Sequence, residues 1–288
     1  MLIADTKYPL HTRMISLAEG LSVACTDEGH GYPLLFIHGL GSYIPAWAKN
    51  IPFLSNYYRC IAIDLPGYGK SSKAGFKPSM HFYADVVEAL LDKLQIDSCY
   101  LAGHSMGGQV AMHAALRFPE RIQKLVLVAP AGLEIFEPAE AQQLKSWFET
   151  EKVYAAGEEI ISRNVKANFY HFPADAQPLL TDRLAYTSCT DYYPFCETIS
   201  KSVSAMLGEP VYEKLTHLSM PVLLLFGRQD AYIPSPLLHP NLSVEQLARE
   251  AAAKMPQATF RLLDHCGHFL QWEQAELFNE RVREFLGD

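Results

Sequence analysis

Cys99-Tyr-Leu-Ala-Gly-His-Ser-Met-Gly-Gly108 is the most informative stretch of this 288-residue chain. Its centre fits the pattern Gly-x-Ser-x-Gly, an apolar run with strand character precedes the pattern, and helix-compatible sequence follows it to Phe118. A strand, a sharp turn and a helix in this order would lift the Ser105 hydroxyl clear of a sheet. Glycine at positions 103 and 107 removes the Cβ atoms that would clash in such a turn. The alternative is an ordinary serine in a glycine-rich turn, and the rest of the chain decides between the two.

The length of 288 residues predicts one large domain, or one domain with an insertion, and a hydrophobic fraction of 49% is enough for a sizeable core. The formal net charge of −8 argues against nucleic acid as a partner. The longest apolar runs have strand length, and the N-terminal sequence lacks the pattern of a secretion signal, so no stable membrane insertion is expected. Six cysteines are spread without a disulfide framework, which makes a cytoplasmic location the expectation.

Apolar runs of strand length alternate with helical segments along the chain. The predicted strands include residues 34–37, 60–63 and 222–226, and the predicted helices include residues 79–96, with Ser79 as the N-cap, and a closing helix from about Gln271 to Leu286. Continuous apolar runs are typical of strands that are buried on both faces of a parallel sheet. The alternation predicts a mostly parallel α/β sheet, and ligands of such sheets gather at the carboxyl ends of the strands. Four segments place a glycine or a polar residue just after a predicted strand: Gly39, Ser105, Asp230 and His268. We therefore expect these four positions to meet at one edge of the sheet.

The alternation of strands and helices stops in residues 133–220, where no apolar run of strand character occurs. These residues are predicted to form several helices, and they are rich in phenylalanine and tyrosine. Ordinary core packing is the simplest interpretation of any single aromatic residue, but an aromatic helical insertion as a whole suits a cap over an apolar pocket. The expected division is a core of residues 1–132 and 221–288 with a cap of residues 133–220. Tyr192 and Tyr193 are predicted to contact the substrate.

Three residues supply the groups that activate a nucleophile. A serine hydroxyl is weakly nucleophilic at neutral pH and needs a general base, for which histidine is suited. A carboxylate then orients the imidazole and stabilises its charged form. The chain order Ser105, Asp230, His268 is one in which such triads occur. Glu134 and Asp264 remain alternative carboxylates.

Other histidines receive structural interpretations. His104 lies inside the Gly-x-Ser-x-Gly pattern and is expected to pack beside the site rather than to act as a base. His265-Cys266-x-His268 could suggest metal ligands, but no further ligand cluster accompanies it in the sequence. No metal and no cofactor is therefore predicted.

Together these motifs resemble the α/β-hydrolase fold family over nearly the whole chain. The matching pieces are His38-Gly-Leu-Gly41, Asp64-x-x-Gly-x-Gly-x-Ser71, Gly103-x-Ser-x-Gly107, Gly227-Arg-Gln-Asp230 and Gly267-His268. The resemblance implies an eight-stranded, mostly parallel sheet flanked by helices, with a helical cap inserted between strands 6 and 7. It implies a serine hydrolase in which Ser105 is the nucleophile, Asp230 the acid and His268 the base.

The resemblance also implies positions for the rest of the site. The Leu40 and Met106 backbone amides would form an oxyanion hole. The residues that would adjoin the substrate, besides the two tyrosines of the insertion, are Gly39, His104 and Phe269.

The kind of hydrolase is less sharply indicated. The tail from Cys266 to Leu286 is similar to hydrolases that cleave C–C bonds of ring-fission products, which bind a substrate carboxylate with an arginine of the cap; Arg163 and Arg183 lie in the insertion. Gly-His-Ser-Met-Gly-Gly looks more like general carboxylesterases. We predict hydrolysis of carboxylic esters with a small or medium apolar acyl or aryl group. The alternatives are C–C hydrolysis of ring-fission dienoates and a non-catalytic ligand-binding protein, and no oligomeric state is assigned.

Overall fold

Eight strands form one sheet in the computed structural model, which describes residues 1–287. The strand order is β1-β2-β4-β3-β5-β6-β7-β8; β1 and β2 run antiparallel to their neighbours and the other strands are parallel. The fold class predicted from the sequence is confirmed. The strands are β1 (Arg13–Ala18), β2 (Leu21–Glu28), β3 (Pro33–Ile37), β4 (Arg59–Ile63), β5 (Cys99–His104), β6 (Ile122–Val128), β7 (Val222–Gly227) and β8 (Ala258–Leu263).

Six helices lie outside the insertion and five lie within it. Those outside are α1 (Ile51–Leu54), α2 (Met80–Lys93), α3 (Met106–Arg117), α9 (Val244–Lys254), α10 (Leu270–Glu273) and α11 (Ala275–Leu286). Those within it are α4 (Pro138–Trp147), α5 (Thr150–Tyr154), α6 (Glu158–Lys166), α7 (Gln177–Ala185) and α8 (Tyr192–Gly208). None of the helices in residues 1–287 has both the length and the hydropathy that crossing a bilayer requires.

The central strands are buried because helices cover both faces of the sheet. Every residue of β7 is buried, and in β3 only the first residue is partly exposed. The register pairs Phe36 with Ala62 on one side and with Ala102 on the other, so apolar side chains continue from strand to strand. α3 packs against β5 and β6. These contacts hold the carboxyl ends of the central strands at one edge.

Most element boundaries follow the sequence prediction, and one differs. The Ser79 hydroxyl caps α2 by accepting a hydrogen bond from the Phe82 amide, as expected. The closing helix was expected to be continuous from about Gln271 to Leu286, but it breaks at Gln274. The backbone of Gln274 has ψ near 45°, outside the helical region, so the chain turns between α10 and α11.

The insertion lies between β6 and β7, as predicted, and in residues 133–220 it contains helices and no strand. Its longest helix, α8, contacts the core through Ser202, which accepts a hydrogen bond of 2.8 Å from the Tyr68 hydroxyl. The backbone of Gly41 also lies close to the Ile199 side chain of α8. The insertion therefore covers the loop that follows β3, and its role as a cap stays a prediction.

Candidate active site

Ser105 stands at a sharp turn between β5 and α3. Its backbone has φ 54° and ψ −119°, a conformation that costs energy for a residue with a side chain and that persists only where the surroundings hold it. The Ser105 amide donates to Val128 O at 2.9 Å, and its carbonyl accepts from the Gly108 amide at 2.9 Å. A Cβ on Gly107 would collide with the carbonyl oxygens of residues 37 and 38, so glycine is needed there.

The Leu40 and Met106 amides, which are predicted to form an oxyanion hole, belong to two segments that meet beside Ser105. Met106 is the first residue of α3, so its amide has no carbonyl partner within the helix. Leu40 lies in the loop after β3, and Leu40 and Ser105 line the same cavity. Gly39 approaches Ser105 closely, since a Cβ on Gly39 would lie 3.1 Å from the Ser105 Cβ. The loop and the helix start are therefore neighbours.

The buried imidazole of His38 shapes this loop. Burial lowers the pKa of His38 to about 4, so the ring is neutral at pH 7. Its Nδ1–H donates to the Gly39 carbonyl at 2.8 Å, and its Nε2 accepts from the Leu65 amide at 3.0 Å. His38 thus ties the loop after β3 to the loop after β4. The sequence prediction gave His38 no such role, because Leu65 is 27 residues away.

Asp230 and His268 form the buried pair that the sequence predicts. His268 Nδ1 lies 2.7 Å from Asp230 Oδ2, and since an ionised carboxylate only accepts, Nδ1 is the donor. The other carboxylate oxygen accepts from the amides of Tyr232 at 2.8 Å and Ile233 at 3.0 Å. In a neutral imidazole this tautomer makes Nε2 the acceptor. His268 and Ser105 line one cavity, and the assignment of the three residues as a triad stays a prediction.

Glu134 and Asp264, the two alternatives to Asp230, bind other partners. Glu134 is buried and accepts hydrogen bonds from the Ser235 amide at 2.8 Å and from His239 Nδ1 at 2.5 Å. Asp264 is exposed and pairs with Arg228. Neither one contacts His268, which leaves Asp230 as its carboxylate partner among residues 1–287.

His104 lies behind the pair and does not line the cavity. Its Nε2–H donates to the His268 carbonyl at 3.0 Å, and its ring packs 4.7 Å from that of Phe269. Burial lowers the pKa of His104 well below the usual value, with a further contribution from His268, so it is neutral. A neutral ring in this place positions the His268 backbone, which agrees with the packing role expected for His104 but does not bring it against a substrate.

A cavity of about 1170 Å³ lies between the carboxyl edge of the sheet and the insertion. Its wall is mostly apolar and includes Leu40, Phe148, Phe169, Val203 and Phe269. Phe269 is thus placed at the cavity. The prediction for Tyr192 and Tyr193 is corrected, because neither residue is part of the wall.

The two tyrosines face away from the cavity for different reasons. Tyr192 is buried and its ring stacks on Phe195. Tyr193 is 43% exposed, and its hydroxyl donates to Glu151 Oε1 at 2.7 Å. A run of aromatic residues in a helix does not reveal which one faces a pocket, since side chains one position apart point about 100° apart.

Both arginines considered from the sequence line the cavity, and their surroundings differ. Arg163, on α6, is exposed. Arg183, on α7, is half-buried and its guanidinium lies 4.7 Å from the centre of the Phe195 ring. Its Nη1 is buried and has no hydrogen-bond partner among residues 1–287, and no carboxylate of that range forms an ion pair with Arg183. The cavity therefore contains a cation with an unused donor.

Comparison with known proteins agrees with this geometry. The sequence model of the α/β-hydrolase fold family matches residues 32–275 of this chain. A 2-hydroxy-6-oxo-6-phenylhexa-2,4-dienoate hydrolase of Burkholderia cepacia is 30% identical over 285 residues, which cover 94% of each chain. A 2-hydroxy-6-oxononadienedioate/2-hydroxy-6-oxononatrienedioate hydrolase of Paraburkholderia phymatum is 29% identical over 96% of each chain.

A solved structure is similar along the same length. A meta-cleavage product hydrolase from Pseudomonas fluorescens IP01 superimposes with a TM-score of 0.78 at 26% sequence identity, covering 95% of this chain and 97% of that one. The family match spans most of the sequence, and the triad order and sheet topology fit it. The chain therefore belongs to the α/β-hydrolase fold family, and it is a hydrolase of that fold.

Proposed function

We propose that the chain hydrolyses a C–C bond in 2-hydroxy-6-oxo-dienoates, with Ser105 as nucleophile, His268 as general base and Asp230 as the carboxylate that orients the base. The 2.7 Å contact between His268 Nδ1 and Asp230 supports these roles, because it leaves Nε2 free to take a proton. The cavity shared by Ser105 and His268 gives a small-molecule substrate access to both. The Leu40 and Met106 amides would stabilise the oxyanion.

The proposed reaction follows from the chemistry of such a dienoate. When the 2-hydroxy group becomes a ketone, its proton is replaced by one at C5 and the remaining double bond lies between C3 and C4. The C5–C6 bond then joins the C6 carbonyl carbon to a CH₂ group that is linked to the 2-ketone through this double bond. Ser105 Oγ adds to C6 and its proton passes to His268. The C5–C6 bond then breaks, its electron pair is delocalised toward the 2-oxo group, and the proton held by His268 neutralises it. Water hydrolyses the acyl-Ser105 ester and releases the acid.

The unpaired Arg183 Nη1 is the observation that carries this proposal. A dienoate brings a carboxylate into an apolar cavity, where an unpaired charge is costly and a guanidinium is the matching partner. A neutral ester would leave Nη1 without an acceptor, and the guanidinium would keep only its contacts with the rings of Phe195 and Tyr192. The names of the two relatives give a 2-hydroxy-6-oxo-dienoate for one and the corresponding dienedioate and trienedioate for the other. These substrates also favour C–C hydrolysis over the ester hydrolysis that the sequence alone suggested.

The test compares two arginine variants on two substrates. We expect Arg183→Gln to lose about 10- to 100-fold in kcat/KM on a 6-phenyl dienoate, the size of a lost charged hydrogen bond, and to change little on p-nitrophenyl butyrate. Arg163→Gln is the matched control, since Arg163 lines the same cavity but is exposed. Equal losses on both substrates, or a larger loss in Arg163→Gln, would remove the carboxylate role of Arg183.

A further inference from the structure

Gln109 is the polar residue nearest to Ser105 along α3. It lies four positions after the serine, which places it on the same face of the helix and about 6 Å along the axis. Its side chain is fully buried, and it lines the same cavity as Ser105 and His268. The sequence prediction assigned it no role, because a glutamine inside a buried helix has no motif of its own.

The orientation of the Gln109 amide is fixed by α8 and the residue that follows it. The Gln109 Nε2 donates to the Met206 carbonyl at 2.9 Å and to the Glu209 carbonyl at 3.0 Å. Rotating the amide by 180° would set its oxygen against both carbonyl oxygens, so only one orientation is satisfactory. In that orientation Oε1 is buried and has no hydrogen-bond partner among residues 1–287.

The neighbouring backbone keeps the amide from moving away. Gly132 has φ 86°, and a Cβ there would lie 2.9 Å from the Gln109 Cγ and 3.0 Å from its Cδ. Only glycine permits this approach, so the carboxamide is held between Gly132 and the end of α8. A buried oxygen with no donor costs free energy, and a hydrogen-bond donor that enters the cavity would recover it.

Gln109 and Arg183 lie toward opposite ends of α8. Arg183 packs on Phe195, whereas Gln109 binds the carbonyl of Met206, eleven positions later and about 16 Å along the helix axis. Ile199 lies between them on α8, and its side chain faces Gly41 in the loop that carries the Leu40 amide. A substrate whose carboxylate binds Arg183 and whose carbonyl reaches Ser105 would therefore extend its acyl portion toward Gln109.

We propose that Gln109 Oε1 accepts a hydrogen bond from a hydroxyl group on the acyl portion of the substrate, so the chain prefers hydroxylated acyl groups over plain aryl or alkyl ones. The inference rests on the proposed function for the orientation of the substrate, because the carboxylate at Arg183 directs the acyl portion toward Gln109. An ester with the same acyl group would acylate the same Ser105 hydroxyl, and the ester series below tests whether its acyl portion also reaches Gln109. A hydroxyl supplies the donor that Oε1 lacks, and a methoxy group of similar shape does not.

The first arm of the test uses the unmodified protein. The kcat/KM values are measured for 6-phenyl, 6-(hydroxyphenyl) and 6-(methoxyphenyl) dienoates with the substituent at each ring position. We expect at least one hydroxyphenyl isomer to exceed both the phenyl substrate and its own methoxy isomer by about 10- to 100-fold. A protein that shows no preference for any hydroxyl isomer overturns the inference without any variant being needed.

The second arm uses variants. Gln109→Met keeps the length of the side chain but removes the acceptor, so the hydroxyl preference is expected to disappear. His113→Ala is the matched control, because His113 Nε2 also donates to the Glu209 carbonyl, at 3.0 Å, but His113 does not line the cavity. That variant should keep the preference. Equal loss in both variants would mean that Gln109 only anchors the end of α8.

A parallel ester series separates this inference from the proposed function. p-Nitrophenyl benzoate and its hydroxy and methoxy analogues present the same acyl groups without a dienoate. If the esters react and the dienoates do not, the C–C assignment fails while the Gln109 inference is still judged on the esters. If the dienoates react without a hydroxyl preference in either series, the Gln109 inference alone fails.

Discussion

The Asp230 carboxylate accepts three hydrogen bonds. Two backbone amides bind Oδ1 and fix the orientation of the carboxylate, and Oδ2 accepts from His268 Nδ1. Asp230→Asn would preserve the shape of the side chain but present an N–H to the imidazole, which favours the wrong tautomer. We expect kcat to fall by up to about 10⁴-fold while the melting temperature changes little. Steady-state kinetics and thermal unfolding check this.

Glu134→Gln is the control for that experiment. Glu134 is a buried carboxylate beside the same cavity, and it binds His239 rather than His268. Its replacement should leave kcat within a few-fold of the parent value, although it can lower stability. An inactive Glu134→Gln beside an active Asp230→Asn would reverse the assignment of the acid.

For single residues, the sequence predicts a functional role only where adjacent residues in the chain form a recognisable pattern. Ser105 could be predicted because its turn requires glycines two positions away on each side. Gln109 could not, because its partners, residues 206 and 209 at the end of α8, lie 97 and 100 residues later in the chain. His38 is a similar case. A role that depends on long-range hydrogen bonds has no local pattern.

His239 links the start of the insertion to the loop after β7. Its Nδ1 and Nε2 lie 2.5 Å from Glu134 and 3.3 Å from Glu140, and Phe136 stacks on its ring. Burial opposes protonation of His239, but the hydrogen bonds and charges of the two glutamates outweigh it, so the pKa is raised. The protonated form therefore joins α4 to the core.

This contact makes stability depend on pH in a defined direction. A raised folded-state pKa means that the stabilisation is complete below about pH 6.5, the value in an unfolded chain, and is lost as the pH rises through the folded value. We expect the difference in melting temperature between the parent and His239→Gln to shrink from pH 6 to pH 8. Replacing the exposed His30 with Gln is the control and should leave the profile unchanged. A constant difference across this range would contradict the assignment.

The aromatic residues of the insertion divide into those that face the cavity and those that do not. Phe169 lines the cavity and its ring lies 5.2 Å from that of Phe269. Phe169→Leu should change the ratio of kcat/KM between short and aryl acyl groups by about 10-fold, because the pocket wall changes shape. Tyr193→Leu should leave the ratio unchanged, since Tyr193 points outward. The ratio is measured for both variants with a panel of substrates that differ in the acyl group. A changed ratio in Tyr193→Leu together with an unchanged ratio in Phe169→Leu would contradict this assignment of the cavity wall.

Elements were predicted well where a single pattern extends over their whole length. β3, β4 and β7 are apolar runs, and their bounds agree with the prediction within one residue. The break between α10 and α11 was missed because the apolar spacing continues across Gln274, and no glycine or proline marks the turn. The insertion could be predicted from the absence of strands in its sequence. Which side of each of its helices faces the cavity could not be predicted.

For the whole molecule, parallel topology explains why the site was predictable and the substrate was not. Parallel strands bring their carboxyl ends to one edge, so residues far apart in the chain could be assigned to one place from their positions alone. The cavity wall, in contrast, is assembled from the insertion and from several loops. The prediction of ester hydrolysis relied on the sequence around the Gly-x-Ser-x-Gly pattern, which is compatible with both chemistries. The surroundings of Arg183 could not be predicted from the sequence.

The most direct test is to incubate the unmodified protein with a 6-phenyl dienoate. Hydrolysis is measured as the loss of the dienoate absorbance, and the products are then identified. We predict benzoate and a 2-hydroxy-dienoate in equal amounts, with a kcat/KM above that for p-nitrophenyl butyrate and complete loss of the reaction in Ser105→Ala. A protein that cleaves the ester rapidly and leaves the dienoate intact would contradict the C–C assignment and restore the ester hydrolase.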